Sequence, residues 1–246
     1  AGVSIRNVLN MASGVAFNED YLDFDSDINR MGRVLALGQS MDSFAAGITG
    51  TIAPPGTRYQ YVSIDTHVLS MVLRAATGMS LPELFEEKLW SRLGVHADGF
   101  YLTDGYGVAF ALGGLNLTTR DYARFGQMIL QQGKWQDEQI VPARWIRQST
   151  TSSAPPPANT GDRFGYGYQW WVPQGDQGET FAVGIYGQYI YINPTTNVVI
   201  VKTSADTHFR DDGEQGNRIK HETIEMFRAI SDALGRPASD VPQDDG

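Results

Sequence analysis

Hydrophobic periodicity changes character once along this chain, and that change constrains the fold more than any single motif. Up to about residue 150 the apolar residues recur at helical spacing; beyond it, aromatic and β-branched residues cluster in short runs typical of strands. Ile5, Val8 and Leu9 mark a short helix, and residues 18–27 an acidic loop. After the Pro54-Pro55-Gly56 turn, Val68, Leu69, Val72 and Leu73 mark a helix that Gly78 should stop. Ser80-Leu81-Pro82-Glu83 has the capping-box form ahead of Leu84, Phe85 and Leu89. Thr118 opens a helix striped by Tyr122, Phe125 and Ile129, and Pro142 suits the first turn of another.

The Ser-, Pro- and Asn-rich stretch 152–160 separates this part from three expected strands, 166–172, 180–192 and 198–204, the last two joined by Asn193-Pro194-Thr195-Thr196-Asn197. Ile219, Thr223, Phe227 and Ile230 then give a helix able to cover the meander. The expected organisation is a mainly helical lobe over 1–155, antiparallel strands plus a C-terminal helix over 156–236, and a polar tail over 237–246. Three strands are few for so apolar a sheet, whose edges need neighbours. An N-terminal part of the fold is therefore expected to be missing from the sequence.

Charge and composition exclude several functions. A net charge of −9 repels phosphate backbones and anionic lipid surfaces, so neither nucleic acid nor membrane is an expected partner. With no cysteine there is no disulfide, thiolate metal site or thiol nucleophile. His67, His96, His208 and His221 lack metal-ligand spacing, so neither metal nor cofactor is expected. Compartment stays open, the cytoplasm being slightly preferred to the periplasm, and a homodimer is left open.

A search for a hydrolytic nucleophile finds no Gly-x-Ser-x-Gly elbow. Three residues before Lys88, Lys134, Lys202 and Lys220 stand Phe85, Gln131, Val199 and Asn217, so no Ser-x-x-Lys exists either. Yet Pro55-Gly56-Thr57-Arg58-Tyr59-Gln60-Tyr61-Val62-Ser63 resembles the Pro-Gly-Thr-x-Phe-x-Tyr-x-Asn/Ser stretch of class C β-lactamase-like, penicillin-recognising serine hydrolases. Asn18-Glu19-Asp20-Tyr21, Gly113-Gly114-Leu115, Gln169-Trp170-Trp171 and Gly184-Ile185-Tyr186-Gly187-Gln188 are similar, in the same order, to nylon-oligomer (6-aminohexanoate-dimer) hydrolases.

The resemblance implies an α/β (α+β), β-lactamase/transpeptidase-like fold and a serine hydrolase that cleaves a small amide or ester through an acyl-enzyme. It makes Tyr61 the active-site tyrosine, with Ser63 able to hydrogen-bond it or the lysine. The Ser-x-x-Lys of that family lies upstream of the point matching Ala1, so truncation is the expected reason for its absence. Ala182-Val183-Gly184 stands where the family has Lys-Thr-Gly or Trp/His-Gly-Gly; Gly184 would admit the substrate and the Ile185 backbone N–H would donate to an oxyanion. Loss of the triplet's cation disfavours substrates with a carboxylate beside the scissile carbonyl. Lys202-Thr203-Ser204 reads as a decoy, with Lys202 an exposed strand-end charge.

Tyr21 resembles the tyrosine placed over the substrate amide, Tyr186 and Trp171 are further substrate-binding candidates, and the acidic loop around Asp20, Asp23, Asp25 and Asp27 is either solvated or attracts an amine. Packing is the competing role for each ring. A non-catalytic binding protein on the same fold is the alternative function, and an aromatic carbohydrate-binding module is disfavoured by the helical segments. The 246-residue chain alone should hydrolyse neither p-nitrophenyl esters, nitrocefin nor aminohexanoate dimer above background. Labelling of a single serine by a fluorophosphonate probe would contradict this.

Overall fold

The computed structural model describes residues 2–156, 164–210 and 214–235, which form eight α-helices and nine short strands. Helices α1 (Ile5–Leu9), α2 (Asp27–Ala36), α3 (Met41–Gly47), α4 (Ser63–Thr77), α5 (Leu81–Lys88), α6 (Thr119–Leu130) and α7 (Ala143–Ser149) precede the main sheet; α8 (Glu214–Gly235) follows it. Two ribbons, β1 (Phe100–Tyr101) with β2 (Leu115–Asn116) and β3 (Lys134–Trp135) with β4 (Glu138–Gln139), flank α6 in sequence. Residues 237–246, expected as a tail, and 157–160 of the expected lobe boundary lie outside the described residues.

Several helix ends follow from their sequence signals. Ser80 accepts from Glu83 N while Glu83 caps the Ser80 N–H, completing the capping box of α5. Thr118 caps α6, and Gly78 ends α4 in the left-handed conformation at φ 69°. Helices α2 and α3, for which no expectation was formed, are opened by Ser26 and Ser40 side chains.

The main sheet is an antiparallel meander in the order β5 (Phe164–Tyr166), β6 (Trp171–Pro173), β7 (Thr180–Gly184), β8 (Gln188–Asn193), β9 (Val198–Lys202). Five strands therefore replace the three expected. The 166–172 run is a hairpin rather than one strand, with Gln169 at φ 64° in its turn, and 180–192 is broken by a tight turn at Ile185–Gly187. Strong β propensity around both turns hides them, because Gly167 and Gly187 stand among aromatic and branched residues and the left-handed positions Gln169 and Tyr186 are not Gly or Asn.

Alternation along the strands gives the sheet two apolar faces. Phe181, Tyr189 and Tyr191 join Met11, Met31, Tyr59, Val62, Ile224 and Phe227 in the larger core, which mixes residues from both sides of position 155. Ile192, with the partly buried Ala182, Ile190 and Val199, packs on the other face with Met128, Ile129 and Trp170. Helix α6 lies on that second face, and Gly126 sets how closely: a Cβ there would meet Val199 Cγ1 at 2.7 Å and Ile190 Cγ2 at 3.1 Å. Among the described residues no helix is long and apolar enough to cross a membrane.

One buried ion pair fastens α8 to the sheet. Glu179 is 3% exposed and accepts from Arg228 Nε at 2.9 Å and from an Arg228 terminal nitrogen at 2.6 Å, while the Tyr191 hydroxyl donates to it as well. Removing only the cation strands a carboxylate in the interior. Arg228→Met should destabilise the chain by about 3–5 kcal/mol in urea unfolding, with Glu179→Leu recovering part of the loss in the double variant.

Asp65, in the first turn of α4, is 2% exposed, and its Oδ2 has no hydrogen-bond partner. Burial pushes its carboxyl up to about 7, against hydrogen bonds from Ser13 that lower it. A carboxyl raised on folding binds its proton more tightly in the folded chain, so stability falls as pH climbs from about 4 through about 7 and is level above. Asp65→Asn should gain roughly 2 kcal/mol at pH 8, and the gain should vanish near pH 4 when urea midpoints are compared.

Candidate active site

The extended segment leading into α4 is held by backbone bonds from Gly56 N to Ala12 O and Gln60 N to Met11 O, each 2.8 Å. Its two-residue alternation puts Tyr59 and Tyr61 on one side, against the aromatic end of the sheet. The Tyr61 ring stacks on Trp171 with centroids 5.6 Å apart and meets Tyr166 edge-on at 6.4 Å. Helix α4 begins at Ser63, so Tyr61 stands immediately ahead of a helix N-terminus.

That N-terminus has no side-chain cap of its own, since its N-cap residue is Val62. Glu19, 44 residues earlier, supplies one: Oε2 accepts the Ser63 N–H at 2.9 Å and Oε1 accepts the Ser63 hydroxyl. Ser63 thus donates its hydroxyl to a carboxylate rather than to Tyr61. The Tyr21 hydroxyl also donates to Glu19 Oε1, at 3.3 Å.

Most of the acidic run around Glu19 is occupied in shaping its own loop. Asp20 Oδ1 accepts from Leu22 N at 2.8 Å, Asp23 Oδ1 from Asp25 N at 2.9 Å, and Asp27 Oδ2 from Asn18 N at 2.9 Å. Asn29 Nδ2 donates to Tyr21 O and Asp23 O, joining the loop to α2. These aspartates are loop-forming groups, and only Glu19 of the run reaches the cleft.

The third piece is the end of β7. Gly184 is followed by the Ile185–Gly187 turn, in which Tyr186 has φ 63° and Gly187 φ 80°. A Cβ on Gly184 would lie 3.0 Å from Gln188 Cβ, so glycine there permits the strands to close on the turn as well as opening the backbone to a ligand. Lys202, expected as an exposed charge, is half-buried and donates to Gly187 O at 3.0 Å, bracing the turn. Ala182 packs on the α6 face of the sheet, leaving Val183 as the triplet side chain that meets the cleft.

These pieces enclose a cleft of about 320 Å³ lined by Glu19, Tyr21, Tyr61, Trp171, Gly184 and Ile185 among others. Tyr186 and Ser63 do not line it. Tyr186 packs edge-on against Phe209 at 4.4 Å, and Phe209 in turn meets Tyr21 at 6.0 Å, so Tyr186 backs a wall that Phe209 and Tyr21 present to the cleft. Trp170 stacks on Phe125 in the second core, so the two tryptophans serve opposite faces.

Two charged lining residues, Asp206 and Lys220, lie outside every quoted motif, and Glu19 lies within one without having been singled out. The Lys220 ammonium lies 4.3 Å from the Trp171 ring centroid. Burial first, then the Glu19 charge, pushes the Tyr61 phenol up to about 12, and Tyr21 is raised by burial, Glu19 and Tyr61. Both phenols are therefore neutral donors at neutral pH. Among the described residues no group of three or more His, Cys, Asp or Glu is placed to hold a metal ion.

Comparison with known proteins sets this geometry in a family. Residues 1–224 match the Beta-lactamase family model. The chain is 31% identical over 216 residues to the 6-aminohexanoate-dimer hydrolase of Paenarthrobacter ureafaciens, covering 83% of this chain and 55% of that protein. A Bacillus anthracis protein provisionally named 6-aminohexanoate-dimer hydrolase superposes with a TM-score of 0.74 at 27% identity, over 94% of this chain and 61% of that one. EstCE1, a hydrolase with promiscuous acyltransferase activity, shares the fold with a TM-score of 0.65 at 17% identity, over 85% of this chain and 70% of its own. The chain thus spans little more than half the length of the hydrolase it matches in sequence. On the family match and the 31% identity together, this chain belongs to the β-lactamase family.

Proposed function

We propose that the chain is part of a serine hydrolase that cleaves a small amide or ester through an acyl-enzyme, of the 6-aminohexanoate-dimer hydrolase and carboxylesterase type. The observation that carries this is convergence: Tyr21, Tyr61, Trp171 and the Gly184-Ile185 backbone, from four separate stretches of sequence, line one cleft. The nucleophile and its lysine would come from a Ser-x-x-Lys segment outside these 246 residues, since the sequence contains none.

In this reading Tyr61 relays the nucleophile's proton once the incoming ammonium offsets burial and the Glu19 charge. The Ile185 N–H is one oxyanion donor, and the serine's own N–H is the other. Tyr21 donates toward the leaving nitrogen or oxygen. The covalent step forms an ester between serine and the acyl group and releases the amine or alcohol with the proton Tyr61 returns; water then reverses the sequence to free the acid.

The cleft's charges narrow the substrate. Glu19 and Asp206 outnumber Lys220 along the described lining, which disfavours an anionic group next to the scissile bond and favours neutral or amine-bearing acyl compounds. In the enzyme carrying its Ser-x-x-Lys segment, Tyr61→Phe should lower kcat roughly 10²-fold or more with little change in KM for an aminohexanoate dimer or a short p-nitrophenyl ester. Near-full turnover by that variant would make Tyr61 a packing residue and end this assignment.

A further inference from the structure

Glu19 is the charged group that joins two of the cleft's pieces, its own loop and the start of α4. It is one residue in an acidic run, yet its carboxylate is used differently from its neighbours'. Asp20, Asp23 and Asp27 accept hydrogen bonds from backbone of their own loop. Glu19 instead crosses to α4, accepting the Ser63 N–H and the Ser63 hydroxyl, and takes the Tyr21 hydroxyl on the same oxygen as the latter.

We propose that Glu19 is a positioning residue that ties the loop bearing Tyr21 to the turn bearing Tyr61 and Ser63, so that two phenols from separate elements hold fixed places on one cleft wall. The physical case has three parts. A helix N-terminus lacking a local cap leaves N–H groups unsatisfied, and an anionic acceptor there satisfies one and complements the helix dipole. Hydrogen bonds to an ionised acceptor are the stronger kind, so the contact can hold to α4 a loop that is otherwise tied to itself, to α2 and to Phe209. Ser63 follows Tyr61 by two residues, so fixing Ser63 fixes the backbone from which the Tyr61 ring leans on Trp171.

The same contact commits the Tyr21 hydrogen. While Tyr21 donates to Glu19 its hydroxyl presents lone pairs to the cleft; to donate toward a leaving group it must turn away from Glu19. Glu19 therefore sets the resting orientation of Tyr21 as well as its place. What the positioning is for rests on the hydrolase reading above, but the positioning itself is testable without turnover.

The test uses the 246-residue chain labelled with 13Cζ-tyrosine and 15N-serine, the Tyr21 and Tyr61 resonances being assigned from Tyr21→Phe and Tyr61→Phe. In Glu19→Gln, which keeps the side-chain length and removes the charge, ionisation of both phenols should begin at least about half a pH unit lower than in the parent, and the Ser63 amide proton should move upfield. Glu19→Asp keeps the charge but falls a methylene short, so it should preserve the late ionisation of Tyr61 while losing the Ser63 amide shift. A role in stability alone would lower the melting temperature of Glu19→Gln and leave both phenol titrations in place, and that result overturns the proposal. Should Glu19→Gln fail to fold, the parent decides: its Ser63 amide must shift as pH is lowered from 7 and the Glu19 carboxylate takes up a proton, and an amide blind to that change overturns the proposal equally. Loss of kcat in Tyr61→Phe bears on the hydrolase reading and not on this one.

Discussion

The two-residue period of β7 and β8 is the constraint on which the rest of this structure depends. Phe181, Tyr189 and Tyr191 point toward α8 and the helical part of the chain, while Ala182, Ile190 and Ile192 point toward α6. A one-residue slip would exchange the two sets, placing tyrosines against Gly126 of α6, where even a Cβ has no room. The alternation therefore decides which face the end of β7 presents and where Val183, Gly184 and Ile185 meet Tyr61.

The cleft is held together by aromatic packing and a single carboxylate more than by a network of charges. Tyr61 is wedged between Trp171 and Tyr166, and Tyr21 touches Phe209, so the rings set position while Glu19 sets hydrogen-bond direction. The lining is largely aromatic, with Glu19, Asp206 and Lys220 as its charged groups. Burial and the Glu19 charge keep both phenols protonated there.

Much of this was legible in the amino-acid order, and what was not has physical causes. Capping boxes and glycine stops are local chemistry, so α4, α5 and α6 could be placed from Gly78, Ser80 and Thr118. Tyr61 and the Gly184-Ile185 pair were legible through motif resemblance, since their meaning lies in recurring spacing. The hairpin at 167–170 was not, because its one glycine, Gly167, is set among aromatic residues and its left-handed position is filled by Gln169. Helices α2 and α3 went unremarked although Ser26, Ile28 and Met31 give a capped, helically spaced pattern. The stretch around Glu19 was legible through Asn18-Glu19-Asp20-Tyr21 but the role of its carboxylate was not, and Lys220, on an amphipathic helix, was beyond reach, since only tertiary folding turns either toward the cleft. Lys202 shows the reverse error: a charge at a strand end reads as solvent-facing until a neighbouring turn bends over it.

The Arg228–Glu179 pair also acts as a ruler. A helix is a rod with a rise of about 1.5 Å per residue, so Lys220, eight positions before Arg228, stands about 12 Å along α8 from the anchor. Because sliding α8 by one turn would leave the buried carboxylate with no cation, the rod cannot be advanced or withdrawn in small steps. The reach of Lys220 over Trp171 is thus a length fixed by an interaction at the opposite end of β7 from Gly184. An insertion or deletion anywhere between the two would move a charge at the cleft without altering one residue that lines it.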